Sequence, residues 1–187
     1  MNWITVAFAL AVLVGVSIVF PSLFGGAWSP TSMRRVRAML DAARLRPGET
    51  LVDLGAGDGR IIITAARERG ARAIGVEIDP LRYALCRLRI ALGGLSGKAS
   101  VLWSNFFDVD LRDADVVTFF LSQAAADKLA PKFRAELKPG ARIVSHQRPL
   151  PGWTPVRVDE EHQLYVYAID DEAAAGPDGR TSSTDGP

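Results

Sequence analysis

The chain has 187 residues, room for one compact domain with short appendages but cramped for two. Twenty-two Lys and Arg stand against 21 Asp and Glu, so the formal net charge of +1 creates no global field to recruit nucleic acid. One cysteine, Cys86, excludes an intramolecular disulfide, and no metal site is expected.

Residues 3–24 contain no charge and as a helix are long enough to cross a hydrocarbon layer of roughly 30 Å. A secretory signal would carry positive charge before its apolar core, whereas only Met1 and Asn2 precede this one. The basic residues Arg34, Arg35, Arg37, Arg44 and Arg46 follow the span and place the rest of the chain on the cytoplasmic side. The expected organisation is an anchor and joint over 1–26, one domain over 27–170, and an acidic Gly/Pro/Ser-rich tail over 171–187 that reads as disordered.

Met33, Val36, Leu40 and Ala43 recur at helical spacing behind a possible Thr31 cap, and Pro47-Gly48 ends that helix. Strands and helices then alternate: strand 50–54, helix 61–69, strand 73–78, helix 81–92, strand 100–103, strand 115–121, helix 124–137, strand 141–145. This alternation predicts an α/β fold with a mostly parallel sheet, and 156–158 with 164–169 reads as a terminal antiparallel pair. In the helix over 81–92, Leu81, Leu85, Leu88 and Leu92 form one apolar stripe expected to face the core, with Arg82, Arg87 and Arg89 solvated.

The chemistry concentrates after the first strand, in Asp53-Leu54-Gly55-Ala56-Gly57-Asp58-Gly59-Arg60. Glycines at this strand-to-helix turn let a ligand lie against peptide groups at a helix N-terminus. A dinucleotide fingerprint needs glycine at position 60, where Arg60 stands, so the loop argues against NAD. Glu77 lies twenty residues beyond Gly57, where a carboxylate can accept ribose hydroxyls, and Ile78 follows it. Asn105 and Phe106 end the third strand, where an amide and a ring can hold an adenine edge. Acids flanking a glycine loop suit a nucleoside with a cationic appendage, so S-adenosyl-L-methionine is the expected cofactor.

On these residues the chain resembles the seven-strand, Rossmann-like S-adenosylmethionine-dependent methyltransferases from about Ser29 to Ile169. Pro30-Thr31, the acid-glycine turn, Ala114-Asp115-Val116-Val117-Thr118, and Glu136-Leu137-Lys138-Pro139-Gly140 through Val144-Ser145-His146 resemble a narrower group. That group comprises the small archaeal and bacterial protein-lysine methyltransferases and the membrane-anchored enzymes that modify the ATP synthase c subunit and the adenine nucleotide translocase. The resemblance implies that Pro30, Thr31, Asp53, Gly55, Ala56, Gly57, Asp58, Gly59, Glu77, Ile78, Asn105 and Phe106 surround the cofactor. It implies an acceptor channel near Thr118, Phe119, Phe120 and His146, and a membrane-associated protein substrate. Trp28-Ser29 replaces the Tyr or Phe often found before the Pro-Thr pair. Thr118-Phe119-Phe120-Leu121 stands where base and glutamine methyltransferases carry Asn/Asp-Pro-Pro-Tyr/Phe, which argues against a nucleic-acid partner. The alternative readings are methylation of an apolar quinone or lipid, and a catalytically silent anchored binding module.

Overall fold

The computed structural model describes residues 2–8, 12, 15 and 31–170. Residues 3–8, 12 and 15 are helical, and among the described residues no helix is long and apolar enough to cross a membrane. Most of the expected span over 3–24, Trp28, Pro30 and the tail over 171–187 lie outside the described residues.

The elements run α1 (Met33–Ala42), β1 (Thr50–Leu54), α2 (Arg60–Glu68), β2 (Arg72–Glu77), α3 (Pro80–Leu92), β3 (Ala99–Trp103), β4 (Val116–Phe119), α4 (Gln123–Glu136), β5 (Arg142–His146), β6 (Arg157–Asp159) and β7 (Leu164–Ala168). They build one seven-stranded sheet in the order β3-β2-β1-β4-β5-β7-β6. The first five strands are parallel, and β7 runs antiparallel to both β5 and β6. This is the expected α/β architecture with its terminal antiparallel pair.

Because successive side chains of a strand point to opposite faces, each central strand feeds two cores. Leu51, Val116 and Val144 pack with Val36, Met39, Ile62 and Ile90 of the first three helices. Val52, Val117 and Ile143 pack with Leu129 and Phe133 of α4 on the other face. The helices α1, α2 and α3 therefore share one side of the sheet.

Three expectations are corrected. Ser32, not Thr31, caps α1: its backbone is extended and its Oγ accepts from Arg35 N at 3.4 Å, while Thr31 is buried. The strand expected over 115–121 pairs only from Val116 to Phe119; Asp115 still ties into β1, its N–H donating to Thr50 O at 2.9 Å and its carboxylate accepting from Thr50 N at 2.8 Å. The leucine stripe of α3 does not face the core. Leu81, Leu85, Leu88 and Leu92 are 41, 45, 54 and 80% exposed, and Cys86 with Ile90 makes the inward contact instead. The sheet surface beneath α3 carries Ala73, Ala99 and Val101, and the smaller pair fills that space.

Candidate active site

Five buried polar residues sit at or near the carboxyl ends of the central strands: Asp53 on β1, Glu77 on β2, Thr118 on β4, and Ser145 and His146 on β5, of which Ser145 faces the α4 side. The alternation of Asp53, Glu77, Thr118 and His146 matches Leu51, Ala73, Val116 and Val144, so these four belong to the face that carries α1, α2 and α3. Between β1 and β4 the strand order reverses direction, and open α/β sheets bind ligands at that crevice.

The turn after β1 is held to β2 by two backbone bonds, Gly55 N and Ala56 N to Val76 O, each 2.9 Å. Gly55 and Gly57 have φ of 83° and 57°, a left-handed backbone that favours glycine. Glu77 locks the same turn: one carboxylate oxygen accepts from Gly57 N at 2.8 Å and the other from Asp79 N at 2.9 Å. Asp79 in turn caps α3 by accepting from Leu81 N and Arg82 N, with Pro80 starting the helix. A carboxylate oxygen has two lone pairs, so Glu77 still has acceptor capacity after fixing the loop.

Asp53 is fully enclosed, and Thr118 donates its hydroxyl to Asp53 Oδ1 at 2.7 Å. Burial raises the Asp53 pKa from the usual 3.8 to about 7; the Thr118 bond opposes that rise, and the charges of Glu77 and Asp58 add to it. Asp58 has a different fate from the one its sequence position suggests. Its carboxylate is clamped by Arg60, with Nε and Nη2 each at 2.8 Å, and by Arg89. Burial acts to raise the Asp58 pKa, but the bonds and charges of Arg60 and Arg89 outweigh it and leave a net lowering. Arg60 also donates to the Thr31 carbonyl at 2.6 Å and so ties the entrance of α1 to the glycine turn. Arg89 is therefore engaged, not solvated as expected.

The remaining expected residues divide. Asn105 Oδ1 accepts from Phe107 N at 3.1 Å and closes its own turn, and Phe106 is buried in the α4-side core. The Ile78 carbonyl receives the Trp103 indole N–H at 2.9 Å. Phe119 is fully buried against Phe133 with ring centroids 5.8 Å apart, because its alternation points it to the α4 face; it does not line the site. Thr118 serves as the partner of Asp53 and not as a channel wall. Phe120 lies beyond the strand, and its ring packs on His146 with centroids 4.0 Å apart. His146 is buried, and neither ring nitrogen has a hydrogen-bond partner among the described residues. Burial first, then the charges of Arg35 and Arg148, lower its pKa from 6.5 to about 4, so the ring is neutral at pH 7.

Sequence reasoning missed Thr118 as the Asp53 partner, and missed Arg60 and Arg89. Only the parallel register, which sets Asp53 beside Thr118, reveals the first pair. Arg60 had a readable signal, since it takes the place of the sixth-position glycine of a dinucleotide loop.

The two carboxylates Asp53 and Glu77 adjoin a backbone cradle without an ion-pair partner of their own among the described residues. Such a surplus of negative charge repels a pyrophosphate and favours a ligand with cationic groups. The site thus fits a nucleoside bearing an ammonium and a sulfonium.

The comparisons agree with this chemistry. Residues 53–157 match the ANTKMT methyltransferase domain family. A protein-lysine N-methyltransferase of Saccharolobus islandicus is 42% identical over 147 residues, 75% of this chain and 91% of that protein. The adenine nucleotide translocase lysine N-methyltransferase of Mus musculus is 41% identical over 74% of this chain, which spans only 60% of the mouse protein. A solved structure of an RNA methyltransferase from Salinibacter ruber, in complex with S-adenosyl-L-homocysteine, superposes with a TM-score of 0.74 at 36% identity, covering 76% of this chain and 95% of that one. The chain belongs to the ANTKMT methyltransferase domain family, enzymes that use S-adenosyl-L-methionine and whose named members include protein-lysine N-methyltransferases.

Proposed function

We propose that this enzyme methylates a lysine side chain of a membrane or membrane-proximal protein, held beside its substrate by an N-terminal span over 3–24 with the catalytic domain on the cytoplasmic side. The observation that carries the reading is the carboxylate pair Asp53 and Glu77, without an ion-pair partner among the described residues, at the crevice between β1 and β4 and on the same sheet face as the neutral His146. The protein-lysine relatives support the acceptor class, and the uncharged stretch over 3–24 supports the anchor.

S-adenosylmethionine supplies a methyl carbon on a cationic sulfur. Asp53, Gly55, Gly57, Glu77 and Asn105 would hold it, with Ala56, Gly59 and Ile78 shaping the cradle. Asp53 and Glu77 place negative charge where its cationic groups lie, and Glu77 keeps the loop rigid through Gly57. The Thr31 end of α1, Phe120 and His146 surround the place of the acceptor. A lysine of pKa near 10.4 is neutral in only about one molecule in 2,500 at pH 7, so the site must favour the free amine. The apolar Phe120 ring and the uncharged imidazole do that by desolvation, and an unpartnered ring nitrogen is available to accept an amine N–H. Positioning for in-line attack then supplies most of the acceleration. Tethering raises the local concentration of a membrane substrate without any new contact.

An RNA acceptor, named for the Salinibacter ruber structure, is less well served. The chain is nearly neutral and carries Thr118-Phe119-Phe120-Leu121 where a planar base nitrogen would need its polar box. The test is incubation of the full chain and its Asp53→Ala variant with methyl-labelled cofactor and membrane fractions. Labelled lysine in a protein band with the wild type alone is the expected result; label confined to RNA or to an organic extract overturns it. A C-terminal reporter checks the orientation, and activity on the far side of the membrane overturns that part.

A further inference from the structure

Two arginines without an ion-pair partner among the described residues flank His146. Arg35 stands in the first turn of α1, where the helix dipole disfavours a cation, and that turn includes no acid. Its Nε is buried and has no hydrogen-bond partner among the described residues, although such a donor is costly to leave unbonded. The neighbouring charge, Arg34, is taken up by Glu161. Arg148 follows β5 by two residues, and its Nε donates to the Leu121 carbonyl at 3.4 Å. It shares a cleft of about 520 Å³ with Asp159 and Glu160 but forms an ion pair with neither, and Asp159 is engaged by His162. Both guanidinium charges bear on the buried His146 ring, and no acid offsets them there. Residues 1–30 hold no acid either.

Charge balance in the reaction gives these cations a purpose. Methyl transfer shifts one positive charge from the sulfur, on the side of Asp53 and Glu77, to the acceptor nitrogen, on the side of Arg35 and Arg148. Two unbalanced cations there would oppose that charge as it develops. An anion brought in with the acceptor removes the opposition and offers the acceptor oxygen that Arg35 Nε lacks. We propose that Arg35 and Arg148 receive the carboxylate of an Asp or Glu side chain that lies beside the target lysine, so that the enzyme selects lysines in an acidic setting. The proposal rests on the reading of the acceptor as a protein lysine next to His146. Arg35 belongs to α1 and Arg148 to the segment after β5, so an acid held by either fixes the substrate chain beside the imidazole. A planar carboxylate also matches the guanidinium fork. Both arginines thus determine specificity, and neither touches the reacting nitrogen.

The test offers the full chain, with methyl-labelled cofactor, short peptides that carry one central lysine flanked by Glu in one series and by Gln in the other. The wild type should show kcat/KM about tenfold higher on the Glu series, a gap that narrows as salt is added. Arg35→Gln and Arg148→Gln should each reduce that ratio, and Arg148→Glu should shift the preference toward peptides with Arg beside the lysine. Retained binding of S-adenosylhomocysteine shows that each variant is folded. Equal rates on the two series, with lysine labelled in both, overturn the proposal and leave the lysine reading standing. A preference for Glu that survives both Gln variants overturns the assignment to these arginines. Where only intact membrane proteins take label, mapped lysines without a neighbouring acid overturn it as well. No label on any lysine, in peptide or membrane protein, overturns the proposal and the lysine reading together.

Discussion

Thr118 and Asp53 stand side by side on the parallel strands β4 and β1, and the hydroxyl of the first donates to the carboxylate of the second at 2.7 Å inside the core. The folded Asp53 keeps its proton up to about pH 7, whereas the unfolded chain loses it near 3.8. Between those values the folded state binds more protons, so this group makes stability fall as pH rises, by an amount on the order of a few kcal/mol across the window. A cationic ligand reverses the preference and favours the carboxylate. Affinity for S-adenosylmethionine should therefore rise with pH through about 7, with proton release seen as a dependence of binding enthalpy on buffer. Asp53→Asn should melt higher than wild type at pH 8 but not at pH 4, and should fail to bind. Thr118→Val removes the donor that favours the charged form, so its binding midpoint should move to higher pH; an unmoved midpoint would mean that the bond does not tune Asp53.

Gly59 shows how the turn is sterically fixed. A Cβ there would sit 2.4 Å from Cys86 Sγ, and φ is +78°. Gly59→Ala should cost about 2–4 kcal/mol in urea unfolding, from overpacking and left-handed strain together. In a Cys86→Ala background the nearest contacts become 3.5 Å, and the cost should fall to about 1 kcal/mol of backbone strain. Equal costs in the two backgrounds would show that the thiol is not the obstacle. Cys86 itself, with its thiol pushed up to about 12 by burial, has no thiolate to offer as a nucleophile.

The fold and the cradle were legible because both are local in sequence: strand, glycine turn and helix within residues 50–69, and an acid ending the next strand at Glu77. What was not legible depended on which elements meet. The period of α3 reveals a leucine stripe but not that Cys86 and Ile90, a smaller set, match the Ala-rich sheet beneath it. Phe119 and Phe120 are adjacent, and only the registered position of β4 tells which enters the α4 core and which meets His146. Thr118 and Asp53 are 65 residues apart, and their pairing follows from the β1–β4 register. Arg89 reads as a solvated charge until the fold brings it onto Asp58.

His146 offers a sharper test of the acceptor end. Its folded pKa near 4 lies below the ordinary 6.5, so from 6.5 downward the unfolded chain takes up protons first, and the group makes stability fall as pH drops through that window. A phenyl ring in its place removes two buried nitrogens that have no hydrogen-bond partner among the described residues. His146→Phe should therefore gain about 1 kcal/mol at pH 7 and lose that pH slope, as measured by thermal unfolding at pH 5 and 7. If a ring nitrogen receives the acceptor amine, the same variant should bind S-adenosylhomocysteine normally yet transfer methyl about tenfold more slowly. Because the imidazole is already neutral, His146 should add no inflection near pH 6.5 to the wild-type rate at saturating cofactor, where the titration of Asp53 no longer governs binding. A stabilised variant with undiminished turnover would leave His146 as a space-filling neighbour of Phe120 and move the acceptor contact to the Thr31 end of α1.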